Sequence, residues 1–389
     1  MFILSATRTP LGSFQGSLAT VSAPRLGATA IRGAITQAGL KPEDITDVYM
    51  GNVLQAGVGQ APARQAALHA GLSAATRCVT INKVCGSGLE AVLAAGRALS
   101  LGDAAIAVAG GMESMTQAPY LLPKAREGFR LGHQQVVDSL IHDGLWDPYN
   151  QLHMGNCAEE CAKKYNFTRS QQDAYATESF RRANAALQDG RFAQEITPVE
   201  VVDRTGTMRP VDRDEGPAKV NYEKMPHLKP AFDKAGTITA ANASTLNDGA
   251  AALVLASDAT VRDRGLKPLA RIVASAGHAQ APLWFTTAPI VAAQSALQRA
   301  GWNAGEVDLW EINEAFSVVA LAFMHEVGLS HDRVNIWGGA IALGHPIGCS
   351  GARILVTLLS ALRERGGRRG VAAICIGGGE GLAVCVELV

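Results

Sequence analysis

The chain of 389 residues predicts an α/β fold built from one unit used twice. Residues 34–52 (AITQAGLKPEDITDVYMGN) and 296–313 (ALQRAGWNAGEVDLWEIN) both read as helix, turn, short strand and a closing Asn. The spacing from Asp47 to Asn52 equals that from Asp308 to Asn313. Residues 84–111 and 345–379 both read as a glycine-rich turn, an apolar helix and a buried strand ending in glycines, AAIAVAGG against VAAICIGG. Composition agrees: 48% hydrophobic residues, only 5% aromatics and 41 glycines suit close packing of helices on sheets.

Bulk properties set several function classes aside. Lys+Arg and Asp+Glu balance at 35 each, so no global basic field recruits nucleic acid or an anionic membrane. No apolar run is expected to reach membrane-spanning length. The start, MFILSATRTP, turns polar after four residues and reads neither as a secretory leader nor as an Arg-rich transit peptide. Cysteines 78, 85, 157, 161, 349, 375 and 385 form no CxxC and are odd in number. That argues against a secreted disulfide framework and for reduced thiols in the cytoplasm. No metal site is expected.

Between the repeated units, residues 119–249 are richer in charge, Pro and turn signals, as in GPAKVNYEKMPHLKPAFDKAG. An insertion of this size reads as a binding loop domain. Within it, 170–190 predicts an amphipathic helix with Ser170 as N-cap and Gly190 as stop.

Four turns carry chemistry-bearing residues. In NKVCGSGLEA (82–91), a strand over 77–84 and a helix over 86–100 would set Cys85 at a helix N-terminus, where N–H groups and the dipole favour a thiolate. Gly86 and Gly88 would permit a tight turn and close approach of a substrate. The turn alone leaves Cys85 open between a packed structural thiol and a nucleophile. His345 lies in the Gly- and Pro-rich loop that the repeat matches to the Cys85 loop, so pseudo-symmetry would bring both to the centre. There it would serve as base for a thiol. Cys375 ends an apolar strand before three glycines, which suit backbone N–H groups held against an oxyanion better than a nicotinamide site. Asn313 ends the strand DLWEI, placed to order a water or a carbonyl, or to cap the next helix.

ATRTP, NKVCGSGLEA, AGGMESM, HMGNCAE, GTITAANASTLNDGAAA, NEAF, GGAIALGHPIGCSGAR and CIGGGEG, in this order, span essentially the whole chain. Together they resemble the thiolase family. The resemblance implies a five-layered αβαβα sandwich of two βαβαβαββ halves with an inserted loop domain. The corresponding division is 1–118 with 250–268, 119–249, and 269–389. It implies that Cys85 is the acylated nucleophile, His345 its activator and Cys375 the second catalytic cysteine. Asn313 would hold a water that forms one oxyanion hole with His345. The N–H groups of Cys85 and Gly377 would form the other.

The implied reaction is a ping-pong Claisen condensation of two acetyl-CoA to acetoacetyl-CoA and CoA, or the reverse thiolysis. Coenzyme A is substrate and product, with no bound cofactor. His153 and Met154 resemble the short-chain type. Leu145, Ala240, Ser244, Ala315 and Phe316 match pocket positions, and the aromatic Phe285 resembles the mitochondrial members, some of which accept 2-methyl-branched acyl groups. Lys219, Lys224, Lys229 and Lys234 are candidates for the CoA phosphates. Potassium activation rests in relatives on a loop-domain tyrosine. The aligned place falls near Pro217 and the nearest tyrosine is Tyr222, so that dependence is left open. The resemblance implies a homotetramer or homodimer, with 119–145 as a contact segment, and gives Glu380 no role. The alternatives are a longer-chain 3-ketoacyl-CoA thiolase and a non-catalytic acyl-CoA-binding relative.

Overall fold

The computed structural model describes residues 1–202 and 205–389. Strands β1 (Phe2–Arg8), β2 (Asp47–Gly51), β3 (Arg77–Ile81), β4 (Ile106–Ser114) and β5 (Asn247–Ala256) pair in the order β3-β2-β4-β5-β1. Strands β6 (Ala270–Ala279), β7 (Leu309–Ile312), β8 (Arg369–Ile376) and β9 (Glu380–Leu388) pair in the order β7-β8-β9-β6. In each half the first matched pair, β2/β4 and β7/β8, is parallel, and the next, β4/β5 and β8/β9, is antiparallel. The repeat read from the sequence is therefore one strand order with one set of directions, used twice. The two sheets also join: Phe2 and Ile3 of β1 pair with Arg271 and Ala270 of β6.

Period-two burial explains the layers. Ile106 and Val108 of β4 face helices α1 (Ala23–Gln37) and α2 (Pro62–His69) on one side. Ala107 and Ala109 face the other side, towards α3 (Ser87–Leu101). In the second half Val371, Ala373 and Cys375 face α6 (Ala288–Ala300) and α7 (Ser317–Val327), while Ala372, Ile374 and Ile376 face inward, towards α8 (Ser350–Arg365). Helices α3 and α8 thus lie between the sheets, giving the layers αβαβα. Ala107 and Ala109 keep the face of β4 towards α3 small, whereas Ile374 and Ile376 fill the facing side of β8. The first turns of these helices cross at glycines: a Cβ on Gly88 would lie 2.9 Å from Ala352 N, and one on Gly351 2.6 Å from Leu89 N.

The insertion between β4 and β5 carries α4 (Met154–Tyr165) and α5 (Arg169–Gln188). The cap of α5 is Thr168, not Ser170. The Thr168 hydroxyl accepts the Gln171 N–H at 3.2 Å, and the Gln171 side chain returns the bond in a capping box. Gly190 follows at φ +72°. The insertion is tied to β1 by Arg8, which is fully buried. Its guanidinium donates to Glu195 at 2.6 Å and, through two nitrogens, to Asp214 at 2.7 and 2.8 Å. One expectation is corrected. The 18 residues Val84–Leu101 do reach the length and mean hydropathy, 1.2, of a membrane span. The stretch is apolar because α3 is buried between two sheets.

Candidate active site

The two central helices begin at the same place, and each is preceded by a loop of the predicted constellation. Ser87 and Ser350 occupy matching positions at their starts. Ser87 Oγ accepts the Lys83 N–H at 2.8 Å and donates to the Val84 carbonyl at 2.7 Å. Ser350 Oγ donates to the Pro346 carbonyl at 3.0 Å and lies 2.5 Å from His345 Nδ1. A hydroxyl has one proton, and that of Ser350 is given to Pro346. Its oxygen therefore accepts from Nδ1–H, leaving a lone pair on Nε2. Nε2 is buried without a hydrogen-bond partner among the described residues. Burial, then Arg353, lowers the imidazole to about 3, so it is neutral at pH 7.

Cys85 does not sit at the helix cap. The strand stops at Ile81, Gly86 is the cap, and α3 starts at Ser87. Val84 takes the sharp turn at φ +46°, a left-handed conformation that a β-branched residue adopts only under constraint. Nor is Gly86 there for a positive φ: its own φ is −82°, and a Cβ would run into Ile376. The expected stabilised thiolate is absent from this state. Burial pushes the Cys85 thiol up to about 11, against the pull of the Gly377 and Cys85 N–H groups. Desolvation outweighs two backbone donors, so the thiol keeps its proton at pH 7.

Cys85 and His345 line one cavity of about 1060 Å³. Leu145, His153, Met154, Ala240, Ser244, Phe285, Ala315 and Phe316 line it too, with Lys219 and Lys224. Lys229 and Lys234 are not among its lining residues. Cys375, Gly377 and Asn313 are not among its lining residues; Cys375 and Gly377 are neighbours of Cys85. Burial and then the Cys85 thiol push the Cys375 thiol well above its usual range. A Cβ on Gly377 would lie 3.3 Å from Met154 Sδ and 3.5 Å from Val84. Asn313 is buried beside the same strand, its N–H donating to the Ala373 carbonyl at 3.0 Å. Both polar atoms of its side chain lack partners among the described residues. It does not cap a helix, because α7 begins at Ser317.

Residues 1–259 match the thiolase N-terminal domain and residues 266–388 the thiolase C-terminal domain. The chain belongs to the thiolase family. An acetyl-CoA acetyltransferase of Cupriavidus necator is 52% identical over 386 residues, 99% of this chain and 98% of the relative. Acetyl-CoA acetyltransferase 1 of Arabidopsis thaliana is 51% identical over 389 residues, 99% and 93% of the two chains. Among solved structures, the Acat5 thiolase from Ascaris suum in complex with coenzyme A has a TM-score of 0.95 at 46% identity, covering 100% of this chain and 99% of that one. The Bacillus anthracis acetyl-CoA acetyltransferase has a TM-score of 0.97 at 38% identity, covering 100% and 98%.

Several parts of this thiolase site escaped sequence reasoning. Phe232 stacks on the His153 ring, with centroids 4.8 Å apart, and meets Phe316 edge-on at 6.0 Å. His153 Nδ1 accepts the Gly155 N–H at 3.1 Å, which puts the ring proton on Nε2. Glu314, fully buried beside Asn313, accepts Tyr175 Oη, Ser179 Oγ and Asn335 Nδ2, each at 2.8 Å, and so fixes the NEAF turn. Glu113, fully buried, accepts Asn52 Nδ2 at 2.7 Å, Val53 N–H at 3.0 Å and Gly348 N–H at 2.9 Å, bracing the His345 loop against the first half. A lone Glu or Phe carries no periodic signal; only the partners that the fold brings to it reveal its part.

Proposed function

We propose that the protein is an acetyl-CoA C-acetyltransferase, condensing two acetyl-CoA to acetoacetyl-CoA and CoA and running the same steps in reverse as thiolysis. The observation that carries this reading is a thiol and an imidazole lone pair sharing one long cavity that lysines also line. The names of relatives at about half identity, and coenzyme A in the Ascaris suum complex, support it.

In this reading His345 Nε2 takes the Cys85 proton and Sγ adds to the thioester carbonyl of acetyl-CoA. The oxyanion faces the N–H groups of Cys85 and Gly377, preorganised donors away from water. The C–S bond to CoA breaks, and the leaving thiolate takes the Cys375 proton. Cys375, now a thiolate, removes a proton from the methyl group of a second acetyl-CoA. The enolate oxygen faces protonated His345 and a water held by Asn313. The carbanion attacks acetyl-Cys85, Sγ leaves, and His345 returns its proton. A covalent nucleophile divides one difficult transfer into two easier ones. Lys219 and Lys224 meet the CoA phosphates as point charges.

The reading carries further assignments. Residues 1–118 with 250–268, 119–249 and 269–389 are taken as its three units. The cytoplasm is its compartment, supported by cysteines that are all free among the described residues. Lipid metabolism is its setting. A homotetramer or homodimer is its assembly, supported by Leu131 and Val136, exposed at 98% and 60% in segment 119–145. The test is acylation trapping: labelled acetyl-CoA is expected to mark Cys85, and a Cys85→Ala variant labelled as well as wild type overturns the mechanism. Thiolysis faster on a long-chain 3-ketoacyl-CoA than on acetoacetyl-CoA would favour the longer-chain reading.

A further inference from the structure

Glu380, to which the family resemblance gives no role, opens β9 directly after the Gly377–Gly379 hairpin. Its backbone is paired on both sides, with Ile376 of β8 and with Ala279 of β6, so it is a rigid anchor. Its carboxylate accepts Lys83 Nζ in an ion pair. Lys83 stands two residues before Cys85, on the turn that Val84 makes at φ +46°. Other groups hold the turn from within: Asn82 Oδ1 accepts the Val84 N–H at 3.0 Å, and Ser87 Oγ accepts that of Lys83 at 2.8 Å. None of these fixes the turn against the facing hairpin. That facing turns the Gly377 N–H towards the Cys85 thiol, where it draws the thiol down against burial. Beyond that N–H and the Lys83–Glu380 pair, turn and hairpin lie close enough that a Cβ on Gly377 would meet Val84 and one on Gly86 would meet Ile376.

We infer that the Lys83–Glu380 ion pair is a positioning clamp, which holds the strained Cys85 turn in register with the Gly377 N–H. The inference rests on the reading of Cys85 as the acetylated nucleophile. Neither residue touches the reacting atoms. The clamp acts through the distance between Sγ and the backbone donor, so its loss slows acetylation and makes the thiol harder to ionise without weakening CoA binding. The pair is partly exposed, with side-chain exposures of 27% and 40%, so the effect is modest and sensitive to salt.

The experiment measures single-turnover acetylation of Cys85 by acetyl-CoA, and alkylation of Cys85 by neutral iodoacetamide against pH. The proteins are wild type, Lys83→Met, Glu380→Gln, Lys83→Arg and the exchanged pair Lys83→Glu/Glu380→Lys. Each single neutral variant is expected to slow acetylation about 5-fold with KM unchanged, and to move the alkylation midpoint to higher pH. Lys83→Arg and the exchanged pair are expected to recover to within about twofold of wild type. Added salt is expected to slow alkylation of wild type but not of Glu380→Gln, a comparison that uses no buried substitution. Neutral variants that acetylate at the wild-type rate overturn the clamp, as does an exchanged pair that is folded yet as slow as the singles. A wild type that takes no acetyl group from acetyl-CoA overturns the underlying thiolase reading instead.

Discussion

His345 Nδ1 lies 2.5 Å from Ser350 Oγ, whose own proton goes to the Pro346 carbonyl. Helix α8 thus chooses the tautomer of the imidazole in the loop before it. A five-residue separation in sequence becomes a proton bookmark: the lone pair is kept on Nε2, the nitrogen without a partner among the described residues.

Ser350→Ala is therefore expected to leave the ring free to hold its proton on either nitrogen. Acetylation of Cys85 should slow about 10- to 100-fold while KM for acetyl-CoA stays put, a partial loss of what a positioned general base supplies. A variant with wild-type single-turnover rates would show that the tautomer is set by something else.

Glu113 yields a pH prediction. Burial holds its carboxyl up at about 7, against the N–H groups of Val53, Leu54 and Gly348. A carboxyl raised in this way contributes most stability below its ordinary 4.5, and the contribution is lost as pH rises through 7. Relative to Glu113→Gln, wild type is expected to lose stability between about pH 5 and 7.5, by on the order of 3 kcal/mol. Denaturant unfolding of both proteins across that window checks it; a difference that stays flat with pH counts against the assignment.

Phe285 is 2% exposed and meets Phe316 edge-on at 6.5 Å while lining the cavity. Phe285→Ala is expected to cost about 3–5 kcal/mol in stability. The same change enlarges the cavity, so if, under the proposed function, the acyl chain lies against Phe285, KM for a longer 3-ketoacyl-CoA should fall relative to acetoacetyl-CoA. An unchanged KM ratio in the folded variant would place the acyl chain elsewhere.

Arg8, Glu195 and Asp214 bury three charges where β1 meets the insertion. Asp214→Asn or Arg8→Met alone strands the remaining charges and should destabilise by about 3–5 kcal/mol. Replacing all three with Arg8→Met, Glu195→Gln and Asp214→Asn should recover most of that loss, because burial of the charges is itself costly. Thermal or denaturant unfolding distinguishes this from simple additivity.

The duplication was legible because helix period, strand length and a closing Asn recur at fixed spacing, and they return as matching strand orders. Cys85 and His345 stood out because they sit on turns that the repeat matches, and the pocket residues were legible only through the family resemblance. What stayed hidden depends on three-dimensional neighbours. The sequence shows a cysteine before a helix; it does not show how much solvent the fold removes, and that removal drives the thiol up. It shows Gly86 and Gly88 but not that the demanding φ falls on Val84, or that the glycines answer to Ile376 and to the neighbouring helix. Hydropathy over Val84–Leu101 cannot tell lipid from two flanking sheets. Thr168 won the cap from Ser170 because Gln171 completes a reciprocal pair of bonds.

Phe2 and Ile3 stitch to Arg271 and Ala270, and on the far side of that seam Gly88 and Gly351 interlock the central helices. Cys85 and His345 come from opposite sides of this join. Their placement is then set by the pairing of the two sheets and the close approach of the two helices. Under the proposed function, one CoA would follow another into a cavity whose two reactive side chains were brought together by the fold itself, with Lys219 and Lys224 lining it as well.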